Sequence, residues 1–128
     1  MLATLREAVM QELIGEWVNQ NGSHLRIESV DAAGEVRGTF QSAKGRAAQD
    51  RSYPVLGVAN AEVVSFAVNF TDDDANLHSI STFSGRLDGA TLHTLWVLAR
   101  QYEDAERTKP TQPWNAFLVN ADRFTKVG

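Results

Sequence analysis

Among the side chains able to do chemistry, the informative ones are short and mostly neutral: Asn19, Ser23, Ser42, Ser79 and Ser81, joined by one carboxylate, Asp122. Each falls where the local alternation of apolar and polar residues turns the side chain inward, at positions where a plain core would carry Val or Ile. Hydroxyls, an amide and a carboxylate placed this way can donate and accept hydrogen bonds to the polar head of a small molecule. They do not make a catalytic set, because no inward histidine accompanies an inward serine and a nucleophile–base pair is therefore not supported. Trp17, Phe40, Phe66, Phe70, Phe83 and Trp96 share the inward parity. A buried polar group left unpaired costs about 1–3 kcal/mol. Two arrangements avoid that cost: the polar groups bond one another and ordered water at the end of the core, or they form the polar floor of an aromatic-walled cup that takes a ligand.

The elements that must position these residues are short strands. The chain has 128 residues, 43% of them hydrophobic and 22% charged, which is enough for one domain with a real core and too few for two. From Gly15 onward the hydrophobic period is two, in eight runs: 15–19, 23–30, 35–42, 53–59, 62–70, 78–87, 91–100 and 115–126. Asp31-Ala-Ala-Gly34 and Asp88-Gly89 are hairpin turns. Most connectors are short, so successive strands should pair with one another. The expectation is an all-β fold, an eight-stranded antiparallel up-and-down barrel. Residues 1–13 carry a helical stripe instead (Leu2, Leu5, Val9, Leu13). This divides the chain into a helical extension, 1–14, and a barrel domain, 15–128. The helix is expected to pack on the barrel or on a partner subunit; a plug at the barrel mouth is the alternative.

The third run sets Val36, Gly38, Phe40 and Ser42 against Glu35, Arg37, Thr39 and Gln41, and the second sets Ser23, Leu25 and Ile27 against His24, Arg26 and Glu28. The seventh run breaks the rule. Thr94, Trp96 and Leu98 point one way, but Leu95, Val97 and Ala99 on the other face are apolar too. A strand apolar on both faces is covered on both, which predicts self-association through this strand.

Composition excludes several functions. A net charge of −4 with both signs spread along the chain, and a pI near 5.3, argue against nucleic acid or an anionic membrane as partner. No apolar run approaches the roughly 20 residues of a membrane-spanning helix. Arg6-Glu7 interrupts any signal-peptide core, so the chain is expected to be intracellular or to have lost a leader. Without cysteine there is no disulfide, thiolate metal site or cysteine nucleophile. Asp72-Asp73-Asp74 lacks the ligand spacing and glycine of a calcium loop and reads as a solvated hairpin tip. His24 and His93 have outward parity and, with His78, read as surface or interface residues rather than ligands.

Five segments, in order, resemble the avidin/streptavidin family: Gly15-Glu-Trp-Val-Asn-Gln-Asn-Gly-Ser23, Gly38-Thr-Phe-Gln-Ser-Ala-Lys-Gly45, His78-Ser-Ile-Ser-Thr-Phe-Ser-Gly85, Thr94-Leu-Trp-Val-Leu98 and Phe124-Thr-Lys-Val127. The resemblance covers about residues 15–127 and implies a barrel that binds biotin at its open end without catalysis, as a homo-oligomer with tetramer favoured over dimer, and with no cofactor. It implies that Asn19 and Ser23 donate to the ureido oxygen, with Asn21 in the same loop also a ligand-binding residue, and that Ser42 and Asp122 accept from the ureido nitrogens. Ser81 would face the thioether sulfur. Ser79 and the backbone near Arg46 would hold the valerate carboxylate, with Lys44 adding a second cation. Phe70, Phe83, Trp96 and Leu98 would line the wall. Trp114 would enter a neighbouring subunit's pocket; a local hydrophobic plug is its other reading.

Two departures stand out. Phe40 occupies the position of a tyrosine whose hydroxyl donates to the ureido oxygen, and Phe70 replaces a wall tryptophan. These, with Lys44 and Arg46, motivate the alternative of a same-fold binder of another small anionic ligand.

Overall fold

The computed structural model describes residues 4–43, 51–71, 78–104 and 106–128. A short helix, α1 (Leu5–Gln11), precedes eight strands: β1 (Gly15–Asn19), β2 (His24–Val30), β3 (Glu35–Gln41), β4 (Tyr53–Asn60), β5 (Val63–Phe70), β6 (Ser79–Asp88), β7 (Thr91–Arg100) and β8 (Phe117–Lys126). A 3-10 turn, η1 (Pro113–Ala116), leads into β8. Every strand pairs antiparallel with its neighbours in sequence, and β8 returns to β1, closing the barrel. Closure leaves no sheet edge unpaired. The fold is the one the alternation predicts, with strand ends displaced by at most two residues from the sequence-derived runs.

Inward side chains form one continuous core that includes Trp17, Leu25, Ile27, Val36, Phe40, Tyr53, Val55, Phe66, Val68, Phe83, Leu92 and Phe124. Within β2 the alternation is interrupted. A bulge between Ile27 and Ser29 leaves Glu28 and Ser29 both exposed and returns Val30 to the core, since the extra residue of a bulge resets which face the chain presents.

The two ends differ. One is closed by tight turns. In the β2–β3 turn Gly34 adopts φ +91°, a left-handed conformation that glycine reaches without a Cβ clash. The Asp31 carboxylate accepts there from the Glu35 N–H at 2.8 Å. α1 lies against this closed end. Thr4 caps it, its Oγ1 accepting from the Glu7 N–H at 3.1 Å. Arg6 bridges two closed-end turns, donating from Nε to Asn60 Oδ1 (2.9 Å) and from Nη1 to the Ala32 carbonyl (3.4 Å). Gln11 donates to the Val30 carbonyl and Lys126 Nζ to the Glu12 carbonyl.

The buried face of this segment matches the stripe read from the sequence only in part. Leu5 is 83% exposed, whereas Met10 and Leu13 are fully buried in the barrel core. Only the C-terminal end of the helix is buried in the barrel core, because the chain must enter β1 two residues after Leu13. Leu2 lies outside the described residues. The helix therefore sits at the end opposite the open mouth, and the mouth-plug expectation is corrected.

Candidate ligand-binding site

The open end is framed by the β1–β2, β3–β4, β5–β6 and β7–β8 connections. Its polar centre begins at the end of β1. Asn19 is folded around its own loop: Oδ1 accepts from the N–H groups of Asn21 (3.0 Å) and Ser23 (2.9 Å), and the Gly22 N–H donates to the Asn19 carbonyl (3.0 Å). Gly22, at φ +86°, makes a turn this tight accessible. With Oδ1 committed to the backbone, Nδ2 points toward the neighbouring strand β8 and donates to Asp122 Oδ2 at 3.1 Å. Its second N–H remains available as a donor.

Ser23 is complementary. Its Oγ accepts from the Ala43 N–H at 2.9 Å, which leaves the hydroxyl proton to donate elsewhere. Asp122, half-buried, receives one amide hydrogen bond on each oxygen, from Asn19 and from Gln20 Nε2 at 2.8 Å. Gln20 is fixed at its other end, where Oε1 accepts from the Arg123 N–H at 2.8 Å. The β7 neighbour Thr94 donates from Oγ1 to the Asp122 carbonyl (2.9 Å), pinning the backbone that carries the carboxylate. Among the described residues no cation pairs with Asp122. A carboxylate held by amides alone keeps lone pairs for a further N–H donor.

Ser42, Ser79 and Ser81 are buried around the same end. Among the described residues the Ser79 and Ser81 hydroxyls find no hydrogen-bond partner. Beneath them is an aromatic wall. Phe83 stacks on Phe66 with ring centroids 4.8 Å apart, Phe40 meets Phe83 at 6.0 Å and Phe70 edge-on at 6.3 Å, and Tyr53 meets Phe70 at 5.1 Å. Phe40 thus presents ring carbon where a tyrosine would present a hydroxyl. Trp96 and Leu98 are half-buried on the inward face of β7, and the buried Trp96 indole N–H has no partner among the described residues.

The structure therefore brings Asn19, Ser23, Phe40, Ser42, Phe70, Ser79, Ser81, Phe83, Trp96, Leu98 and Asp122 to the inward side of the open half of the barrel. Asn21 contributes its backbone and is exposed. Trp114, on η1, is 68% exposed, so a local plug is not its role in the isolated chain. Lys44, Arg46 and the Asp72–Asp74 run lie outside the described residues. Sequence reasoning passed over Gln20, Tyr53, Thr94 and Arg100. Thr94 and Arg100 share the inward parity of β7, and Tyr53 that of the fourth run; Gln20 lies in a turn, where no periodicity marks it.

Residues 7–127 match the sequence pattern of the Avidin family. The chain belongs to the avidin family. Afifavidin of Afifella pfennigii is 31% identical over 90 residues, 66% of this chain and 56% of the relative, so the match spans little more than half of that protein. Among solved structures, apo shwanavidin superposes with a TM-score of 0.74 at 28% identity, covering 89% of this chain and 94% of the other. The rhizavidin–biotin complex gives a TM-score of 0.74 at 27% identity, covering 90% and 92%. Of these three avidin-family relatives, rhizavidin is solved with biotin bound.

Proposed function

We propose that this protein binds biotin, without chemical conversion, in the open end of its barrel. The observation that carries the reading is the convergence of Asn19, Ser23 and Asp122. Asn19 has a spare amide N–H and Ser23 a spare hydroxyl proton, both suited to the ureido oxygen. The adjacent Asp122 carboxylate suits a ureido N–H. Ser42 accepts from the other nitrogen, Ser81 faces the sulfur, and Phe70, Phe83, Trp96 and Leu98 surround the apolar bicycle. Such a prearranged set limits the ordering cost of binding. The three histidines support no reaction: His24 and His93 are exposed, and His78 Nε2 is engaged by Arg107 Nη1 at 2.6 Å. Titration calorimetry of the full chain with biotin tests the reading. A stoichiometric, exothermic transition at micromolar concentration or tighter is expected, and no heat at that concentration overturns it.

The protein also works as a homo-oligomer in this reading. Leu95 and Val97 on the outer face of β7 are 64% and 39% exposed. They pair across strands with Ala121 and Val119 of β8 and with Ser84 and Thr82 of β6. Leu95, with Val58 and Val63, lines a broad outer concavity. Exposed apolar surface of this continuity fits a second copy of the chain, and Trp114 is free to cross between copies. Light scattering should report an oligomer, and Leu95→Glu with Val97→Glu should reduce it to monomers.

A further inference from the structure

Arg100 is the last residue of β7 and continues the inward series Leu92, Thr94, Trp96, Leu98. It is half-buried at the barrel mouth, and its partner across the β6–β7 ladder is Ser79. Opposed residues on one face of an antiparallel pair bring their side chains within contact distance. The guanidinium donates from Nε (3.2 Å) and Nη2 (2.8 Å) to a single acceptor, the Asn115 carbonyl in η1. A guanidinium has five N–H donors, so the Nη1 side of the fork is uncommitted. Among the described residues no carboxylate pairs with Arg100. The neighbouring Ser79 hydroxyl is buried and equally unpartnered.

A half-buried cation with no counter-ion among the described residues, beside an unused hydroxyl, is poorly compensated. Simple anchoring of η1 would need one donor and no free edge of the fork. The vacant donors instead match a carboxylate, which accepts from a guanidinium and a hydroxyl at once. Arg100 ends β7 and Ser79 begins β6 at the same open end of the barrel as Asn19 and Ser23.

We propose that Arg100 joins Ser79, the position that the family resemblance already gives to the ligand's carboxylate, and that its guanidinium makes the site selective for a free carboxylate over its neutral derivatives. This rests on the biotin reading. It assigns tail recognition to a residue on a strand rather than to a loop, so the selectivity is built into the rigid part of the barrel. The contact also ties the tail to η1, the turn that carries Trp114.

The test compares biotin with biotinamide, which has the same head and a neutral tail, on the full-length wild type, Arg100→Gln and Arg100→Lys. Wild type should prefer the acid by roughly ten- to a hundredfold. Raising the salt concentration should narrow that preference. Arg100→Gln should bring the acid and amide affinities together by weakening the acid alone, and Arg100→Lys should retain an intermediate preference. Equal loss of both ligands in Arg100→Gln, with its thermal unfolding unchanged, would identify a strut for η1 and overturn the inference. An unchanged acid-to-amide ratio overturns it as well. Binding of neither ligand to the wild type overturns the biotin reading and this inference with it, so the two failures are distinguishable.

Discussion

At the closed end of the barrel α1 places Met10 and Leu13 over the inward faces of the strands, next to Trp17, Leu25, Val36 and Leu92, and none of these side chains is exposed. The polar atom among them, Trp17 Nε1, donates to the Leu13 carbonyl at 2.9 Å. At the open end the same strands present Asn19, Ser23, Ser42, Ser79 and Ser81, with Asp122 half-buried beside them. β6 shows the change within one strand: inward side chains run from Leu87 at the closed end through Phe83 to Ser81 and Ser79 at the mouth. Alternation decides which face a residue takes, while position along the strand decides whether it holds the barrel together or meets a ligand. The closed half can then carry stability, and the open half can hold polar groups that a closed core could not tolerate unpaired.

That separation can be broken experimentally. The largest effect is expected from Met10→Ala, which empties a fully buried site under the barrel. It should cost about 2–4 kcal/mol of unfolding free energy in denaturant titration, with the biotin affinity of the folded protein unchanged. A parallel loss of affinity would show that the ends are coupled. Next is Asp122→Ala at the mouth. Calorimetry should show biotin binding weakened about a hundredfold, with a melting temperature close to wild type; unaltered affinity would remove Asp122 from the site. Phe40→Tyr should strengthen biotin binding about tenfold by restoring a donor. A neutral result there would indicate that the tyrosine hydroxyl cannot reach the head group from within the Phe70 and Phe83 contacts. The smallest change is Thr4→Ala, which removes the α1 cap. It should lower stability by about 1 kcal/mol and leave the dissociation rate of biotin untouched.

Much of the binding end was legible in the sequence because a polar residue at an inward strand position is conspicuous. Ser79 and Ser81 break the apolar series that Phe83 and Leu87 continue, and Asn19 does the same after Trp17. Arg100 carried the same signal at the end of the seventh run and went unread as a site residue, since a charge at a strand end is usually solvated. Gln20 had no signal, as its role depends on reaching residues more than a hundred positions away. On α1 the apolar stripe is buried only toward its C-terminal end, fully at Leu13 and half at Val9. Leu5 lies on an apolar stripe, but a helix of seven residues ending just before β1 can bury only its last turn.

The sequence by itself determined the strands, their faces and their order, because a two-residue period and turn residues act over a few positions and need no knowledge of the rest of the chain. It also determined the kinds of donor and acceptor available and, through the order of its segments, the family. Only the tertiary structure decided which of them meet. Closure of β8 on β1 brings Asp122 to Asn19 across 103 positions, docking of α1 chooses the end that is sealed, and the β6–β7 register sets Arg100 opposite Ser79. These juxtapositions follow from how a sheet twists and closes, a property of all the strands together that no local pattern encodes.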